Sequence, residues 1–160
     1  MNKPTCGSIL IRKASSTDHA VVTSFNRALA EESEGKTLDE RTVSEGVHAA
    51  LCDPSRCVYY LAECAGAVVG QTMITTEWSD WRCGWFWWIQ SVYVAPAHRR
   101  HGVFRALHQY IRDEARARGD VCGLRLYAHH TNENALRTYE RLGMERCDYI
   151  LLEEDWSGRA

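Results

Sequence analysis

The stretch "SVYVAPAHRRHGVFRAL", Ser91 to Leu107, runs from alternating β-branched and aromatic residues through a proline and a basic cluster to a glycine. A helical pattern starts immediately afterwards. The first turn of a helix presents backbone N–H groups without intrahelical partners, and its aligned peptides place a partial positive charge there. Gly102 stands at that start, where a missing Cβ lets a ligand oxygen approach the backbone. Arg99 and Arg100 flank it with guanidinium groups that match phosphate geometry. The combination reads as an anion site suited to a diphosphate, although a solvated basic turn opening a surface helix has the same residues. Two other phosphate-binding loops are excluded, because the chain has neither a GxxxxGK[ST] segment nor a GxGxxG after a strand.

The segments on either side give the turn its context. "SILIRKAS" reads as a first strand. "STDHAVVTSFNRALAEES" reads as a helix with Val21, Val22, Phe25 and Leu29 on one stripe, and "LDERTVSEGVHAALCDPS" as a second helix capped by Asp39 and ended before Pro54. The period then changes. "RCVYYLAECAG" and "AVVGQTMITTEW" are strand-like and meet at a hairpin turn, Ala65-Gly66. "SDWRCG" makes the next turn into "WFWWIQSVYV", apolar on both faces, with Trp85, Trp87 and Ile89 on one side and Phe86, Trp88 and Val92 on the other. Apolar character on both sides marks a strand covered above and below. The helix after the basic turn carries Val103, Leu107, Tyr110 or Ile111, and Ala115, and closes at Gly119. "VCGLRLYA" is a strand, "TNENALRTYERLGM" a helix with Thr131 or Asn132 as cap and Gly143 as stop, and "ERCDYILLEED" a last strand. The order predicts an α/β chain of the α+β type, in which an antiparallel meander joins a βαβ crossover and helices cover both faces.

Bulk properties narrow the function classes. The 160 residues carry a formal net charge of -2. That length suits a single domain over residues 1–160, and near neutrality argues against a nucleic-acid partner. No apolar run approaches the roughly 20 residues of a membrane helix, so no membrane role and a cytoplasmic location are expected. The seven cysteines form no CxxC pair, and Cys52 and Cys57 around "DPSR" lack a matching second half-site. No metal is expected, and the thiols read as reduced structural residues.

Arg99-Arg100-His101-Gly102-Val103-Phe104 resembles the Q/R-x-x-G-x-G/A signature of the GNAT superfamily of N-acetyltransferases, with Phe104 where glycine or alanine is usual. The family's later helix, N-x-x-A-x-x-x-Y-x-x-x-G-F, is matched in register by Asn132, Ala135, Tyr139, Gly143 and Met144. The resemblance implies a GNAT-like mixed, mostly antiparallel twisted sheet with a splayed central strand pair. It also implies acetyl transfer from acetyl-CoA to an amine. The cofactor residues it implies are the backbone of Val92, Tyr93 and Val94, the turn Arg99, Arg100, His101, Gly102, Val103 and Phe104, and Asn132 and Tyr139. A homodimer is compatible with it, since many relatives pair through C-terminal strands.

Direct transfer needs a positioned thioester, a neutral amine, oxyanion stabilisation and a proton for the departing thiolate. The resemblance makes Tyr139 the general acid. Relatives often carry an acidic residue where this chain has Gln90 and Ser91, so the base falls to another carboxylate, with Glu77 ranked first. Glu32, Trp78, Asp80 and Gln90 are candidate contacts for a small-molecule amine. A peptide or protein N-terminus is an alternative acceptor. A non-catalytic acyl-CoA sensor is an alternative from another class, separated from the enzyme by release of free CoA.

Overall fold

The computed structural model describes residues 8–156. Strand β1 (Ile9–Lys13) leads through a 3-10 turn, Ser16–Asp18, into α1 (His19–Glu34) and α2 (Glu40–Cys52). The cap of α2 is the expected one, with Thr42 N–H donating to Asp39 Oδ1 at 2.8 Å. β2 (Val58–Cys64) and β3 (Ala67–Ser79) form a hairpin whose turn residues, Ala65 and Gly66, both have positive φ (50° and 79°). That is the backbone a tight two-residue connection requires. β4 (Gly84–Val94) follows, then the turn Pro96–His98, α3 (Val103–Arg118) and β5 (Val121–Arg125).

The five strands lie in sequence order. Pairings from β1 to β4 are antiparallel, and β4 and β5 run parallel, joined by α3. Two apolar layers flank the sheet. Tyr60, Val69, Ile74, Trp87 and Ile89 pack with Val103, Leu107, Ile111 and Ala115 of α3. Tyr59 and Leu61 pack with Val22 of α1 and Val47 of α2 on the other side. The third core position of α3 is Ile111, fully buried, while Tyr110 is 40% exposed. A polar tie joins three elements at the sheet edge: Arg12 of β1 donates to Asp18 before α1 and to Glu63 of β2.

Three expectations need correction. Val92 does not share a face with Phe86 and Trp88, and packs instead on the α3 side. Between the pairs Met73↔Gln90 and Gln71↔Tyr93, Thr72 stands against two β4 residues, Ser91 and Val92. That β-bulge inverts the alternation beyond it. Residues 145–156 form no strand, and Tyr149, Ile150, Leu151 and Leu152 are exposed; without a ladder partner, a β-prone sequence does not become a strand. The cysteines are not all reduced: Cys64 is disulfide-bonded, whereas Cys52, Cys57, Cys83, Cys122 and Cys147 are free.

The chain divides into two compact units after Tyr127. The second contains α4 (Glu133–Arg141), whose cap is Asn132, accepting from Ala135 N–H at 3.1 Å.

Candidate functional site

β4 and β5 stay together only from Trp85↔Val121 to Trp88↔Arg125. β4 runs on to Val94, and β5 is the edge of the sheet. Among the described residues, then, β4 has no strand partner on its β5 side from Ile89 to Val94. The gap is six residues long, and its backbone groups are the type that an extended amide-bearing chain pairs with. Within it Ser91 adopts φ 48°, a left-handed conformation that a serine adopts only with support.

The open strand leads directly to the basic turn. Arg100 (φ 67°) and Gly102 (φ 81°) both lie in the left-handed region, which bends the chain sharply into α3. A Cβ on Gly102 would meet no atom within 4 Å, so backbone angle rather than crowding calls for glycine there. No side chain caps Gly102. No cap side chain therefore competes for the amides of the first turn. Gly70 of β3 sets the position of this helix end: a Cβ there would come within 2.9 Å of Val103 Cγ1. The Phe104 ring pairs with His108 one turn further along α3, centroids 6.1 Å apart. The unusual residue thus lies along its own helix rather than over the turn. His101 contributes a buried Nδ1 with no partner.

The two arginines of the turn differ. Arg99 donates from Nε to the Val94 carbonyl at 2.8 Å and from Nη2 to Glu32 on α1, and its guanidinium sits over the Tyr93 ring. Glu32 also accepts from the Tyr93 hydroxyl at 3.0 Å. Burial, with Glu32 beside it, pushes the Tyr93 phenol up. Arg99 and Glu32 therefore brace the end of β4 against α1. Arg100 and Arg105, both exposed, pair with no carboxylate among the described residues. Arg105 was missed by sequence reading, although its place in the first turn of the helix marks it.

On the face of the sheet opposite α3, the paired part of β4 carries a cluster of side chains. Glu77 uses both carboxylate oxygens: Oε2 accepts from Trp88 Nε1 at 2.5 Å, and Oε1 from Arg125 Nη1 at 2.9 Å. Arg125 stacks on Phe86 at 3.6 Å. Gly123 makes room for that ring, since a Cβ there would lie 2.7 Å from Phe86 Cε1. Gln90 donates to Thr75 Oγ1 at 2.6 Å and accepts from Tyr127 at 3.4 Å, and the Trp88 and Tyr127 rings lie 6.0 Å apart. The result is an aromatic platform with its charges internally matched, ending where the gap begins.

Of the candidate acceptor contacts, only Gln90 belongs to this platform. Trp78 meets Trp85 edge-on with centroids 5.0 Å apart, in the layer facing α3. Asp80 sits in the hairpin turn, seven residues past Met73, the partner of Gln90, or roughly 24 Å at about 3.4 Å per residue, and accepts from Trp81 N–H. Arg125 and Tyr127 carry no local signal in the sequence, because strand pairing across distant segments brings them to Trp88. In the second unit Tyr139 is half-buried, and burial pushes its phenol up. Among the described residues no cluster of three metal-ligating side chains occurs, and no helix is long and apolar enough to cross a membrane.

The profile of the Acetyltransferase (GNAT) family matches residues 22–144. No curated protein matches the chain. Among solved structures, a "possible acetyltransferase" from Clostridium difficile 630 is 44% identical, with a TM-score of 0.86 over 92% of this chain and 97% of that one. A predicted acetyltransferase with acetyl-CoA from Clostridium acetobutylicum is 18% identical, with a TM-score of 0.73 over 92% and 96%. An aminoglycoside acetyltransferase from an uncultured soil metagenomic sample is 20% identical, with a TM-score of 0.73 over 94% and 99%. These last two show likeness of fold.

Proposed function

Because the chain belongs to the Acetyltransferase (GNAT) family, we propose that it moves the acetyl group of acetyl-CoA to a primary amine of a small molecule, by direct attack in a ternary complex. The observation that carries this reading is the unpaired edge of β4 from Ile89 to Val94 running into an uncapped helix start at Gly102. An extended pantetheine arm fits the first and a diphosphate fits the second. Acetyl-CoA supplies the activated thioester, and every other requirement falls to the chain.

The backbone of Val92 and Tyr93, with Val94, holds the arm; Arg99 already takes up the Val94 carbonyl. The turn from Gly102 to Phe104 receives the diphosphate, with Arg100, His101 and Arg105 around it. The bulge at Ser91 brings backbone outside the β3 ladder to the level of the acetyl carbonyl, where an N–H stabilises the developing oxyanion. Tyr139, which the family resemblance makes the general acid, would return a proton to the departing thiolate, since a phenol is protonated at neutral pH. Asn132 caps the helix that carries it. Glu77, engaged at both oxygens, fixes Trp88 and Arg125, and the amine enters in its neutral form. Trp88 and Tyr127 offer the flat body of a small acceptor two faces, and Gln90 offers a held amide. A cytoplasmic, metal-independent enzyme working as one domain over residues 1–160, as a monomer or a homodimer, is consistent with this reading.

The test is release of free CoA from acetyl-CoA across a broad amine panel. Saturable release with at least one small amine is expected. Background release throughout, with acetyl-CoA still bound, would replace the enzyme by a sensor.

A further inference from the structure

The bulge that opens the site is held from behind by polar side chains in the core. Where β3 and β4 lose register, two β4 carbonyls are taken up by β3 side chains. Thr72 Oγ1 donates to the Gln90 carbonyl at 3.0 Å, and Gln71 Nε2 reaches the Ser91 carbonyl at 3.4 Å. Gln71 and Thr72 are both completely buried. Gln71 Nε2 also donates to Asn26 Oδ1 of α1 at 2.7 Å, and Asn26 Nδ2 donates to the Tyr59 hydroxyl of β2 at 3.0 Å. The contacts form one chain, from the Ser91 carbonyl through Gln71 and Asn26 to Tyr59. Because Gln71 faces a backbone carbonyl, its amide orientation is fixed with nitrogen toward the bulge.

A core selected for stability alone would not be built this way. Gln71 Oε1 is buried without a partner among the described residues, which is unfavourable relative to a satisfied group. Ser91 in the left-handed region adds backbone strain. Both unfavourable features meet at the residue where the cofactor strand turns out of its ladder. Strain and an unsatisfied polar group that coincide at a site are the mark of a geometry kept for function.

We propose that Gln71 is a positioning residue for acetyl transfer: anchored on Asn26, which is itself held by Tyr59, it holds Ser91 in the left-handed conformation, and so keeps the backbone of Ser91 and Val92 turned from β3 into the gap. The proposal rests on the acetyltransferase reading of that gap. It adds the device that holds the oxyanion-stabilising backbone in place, and it couples that backbone to α1.

The experiment compares wild type, Gln71→Met, Ser91→Gly and the double variant. Acetyl-CoA binding is measured by calorimetry, and turnover with the best amine of the panel. Gln71→Met fills the space with an apolar chain of similar length, so the protein stays folded, with an unchanged or higher melting temperature. Its KM for acetyl-CoA stays within twofold while kcat falls roughly tenfold to a hundredfold, the range for a disturbed oxyanion donor. A crystal structure of this variant shows Ser91 out of the left-handed region. Adding Ser91→Gly restores most of kcat, because glycine holds a positive φ without support. Unchanged kcat in Gln71→Met, a proportional rise in KM, no rescue by glycine, or Ser91 retaining its positive φ would each overturn the proposal. A wild type that binds no acetyl-CoA would sink the acetyltransferase reading itself, which is a separate outcome.

Discussion

His108 shows how much a single buried residue can set. It is 3% exposed, and its Nε2 has no partner. Burial, helped by Arg112 nearby, pushes the imidazole below its ordinary value. The folded chain therefore prefers the neutral ring, whereas the unfolded chain binds a proton below about pH 6.5. The stability this confers is complete above that pH and is lost as pH falls through the depressed folded value. Asp18 works in a separate window. Hydrogen bonding to Arg12 holds its carboxyl at about 2, against an ordinary 3.8, so its contribution is lost only as pH falls below 4 toward 2. Denaturant midpoints between pH 7 and 5.5 should thus fall for the wild type and stay nearly flat for His108→Phe. Parallel losses in both proteins would assign the drop to other groups. Neither effect is written in local sequence. His108 occupies one position of an amphipathic helix, and only packing of α3 on the sheet shows that it faces inward. Glu77 is similar: sequence spacing offers Arg82 as its partner, and the fold supplies Arg125, 48 residues away.

At the level of elements, the turn into α3 was the most legible part of the chain. Its glycine, its arginines and the change from period two to period 3.6 are local signals, and the structure has each where the pattern puts it. The prediction belonging here concerns Gly102. An alanine there must hold a φ of 81°, at a cost of about 1 kcal/mol. The variant should remain folded, with acetyl-CoA affinity reduced at least tenfold because the first-turn amides shift. Affinity within twofold of wild type, measured by calorimetry, would separate this turn from the cofactor. β4 was legible only as far as Gln90. Alternation reads straight through Ser91, and serine is not among the residues that announce a positive φ, so the inverted faces of Val92 and Tyr93 could not be read. The segment from Glu145 to Asp155 misled for the opposite reason. Its composition suits a strand, but a strand is a property of two segments, and the second was never in its own sequence.

For the molecule as a whole, a cofactor that binds only the folded state must raise stability by mass action. At a hundredfold excess over Kd the gain is about 2.7 kcal/mol. For a chain of this size that corresponds to an increase of about 5–10 °C in melting temperature. Raising the salt concentration should shrink it, because the proposed site sets the phosphates of acetyl-CoA against exposed arginines on a chain otherwise near neutrality. A scanning calorimetry trace that did not move with acetyl-CoA, at low or high salt, would remove the binding site from this fold.

The extra residue at Ser91 also constrains how such a chain can change by insertion or deletion. Losing that one codon would restore a regular ladder between β3 and β4. Every side chain beyond it would keep its present side, because Val92 would follow Gln90 on the side of Ile89 and Tyr93 would stay opposite Gln71. No series of point substitutions passes gradually between the two arrangements. The outward turn of the backbone is gained or lost in one step, while the facing of everything that follows it is preserved.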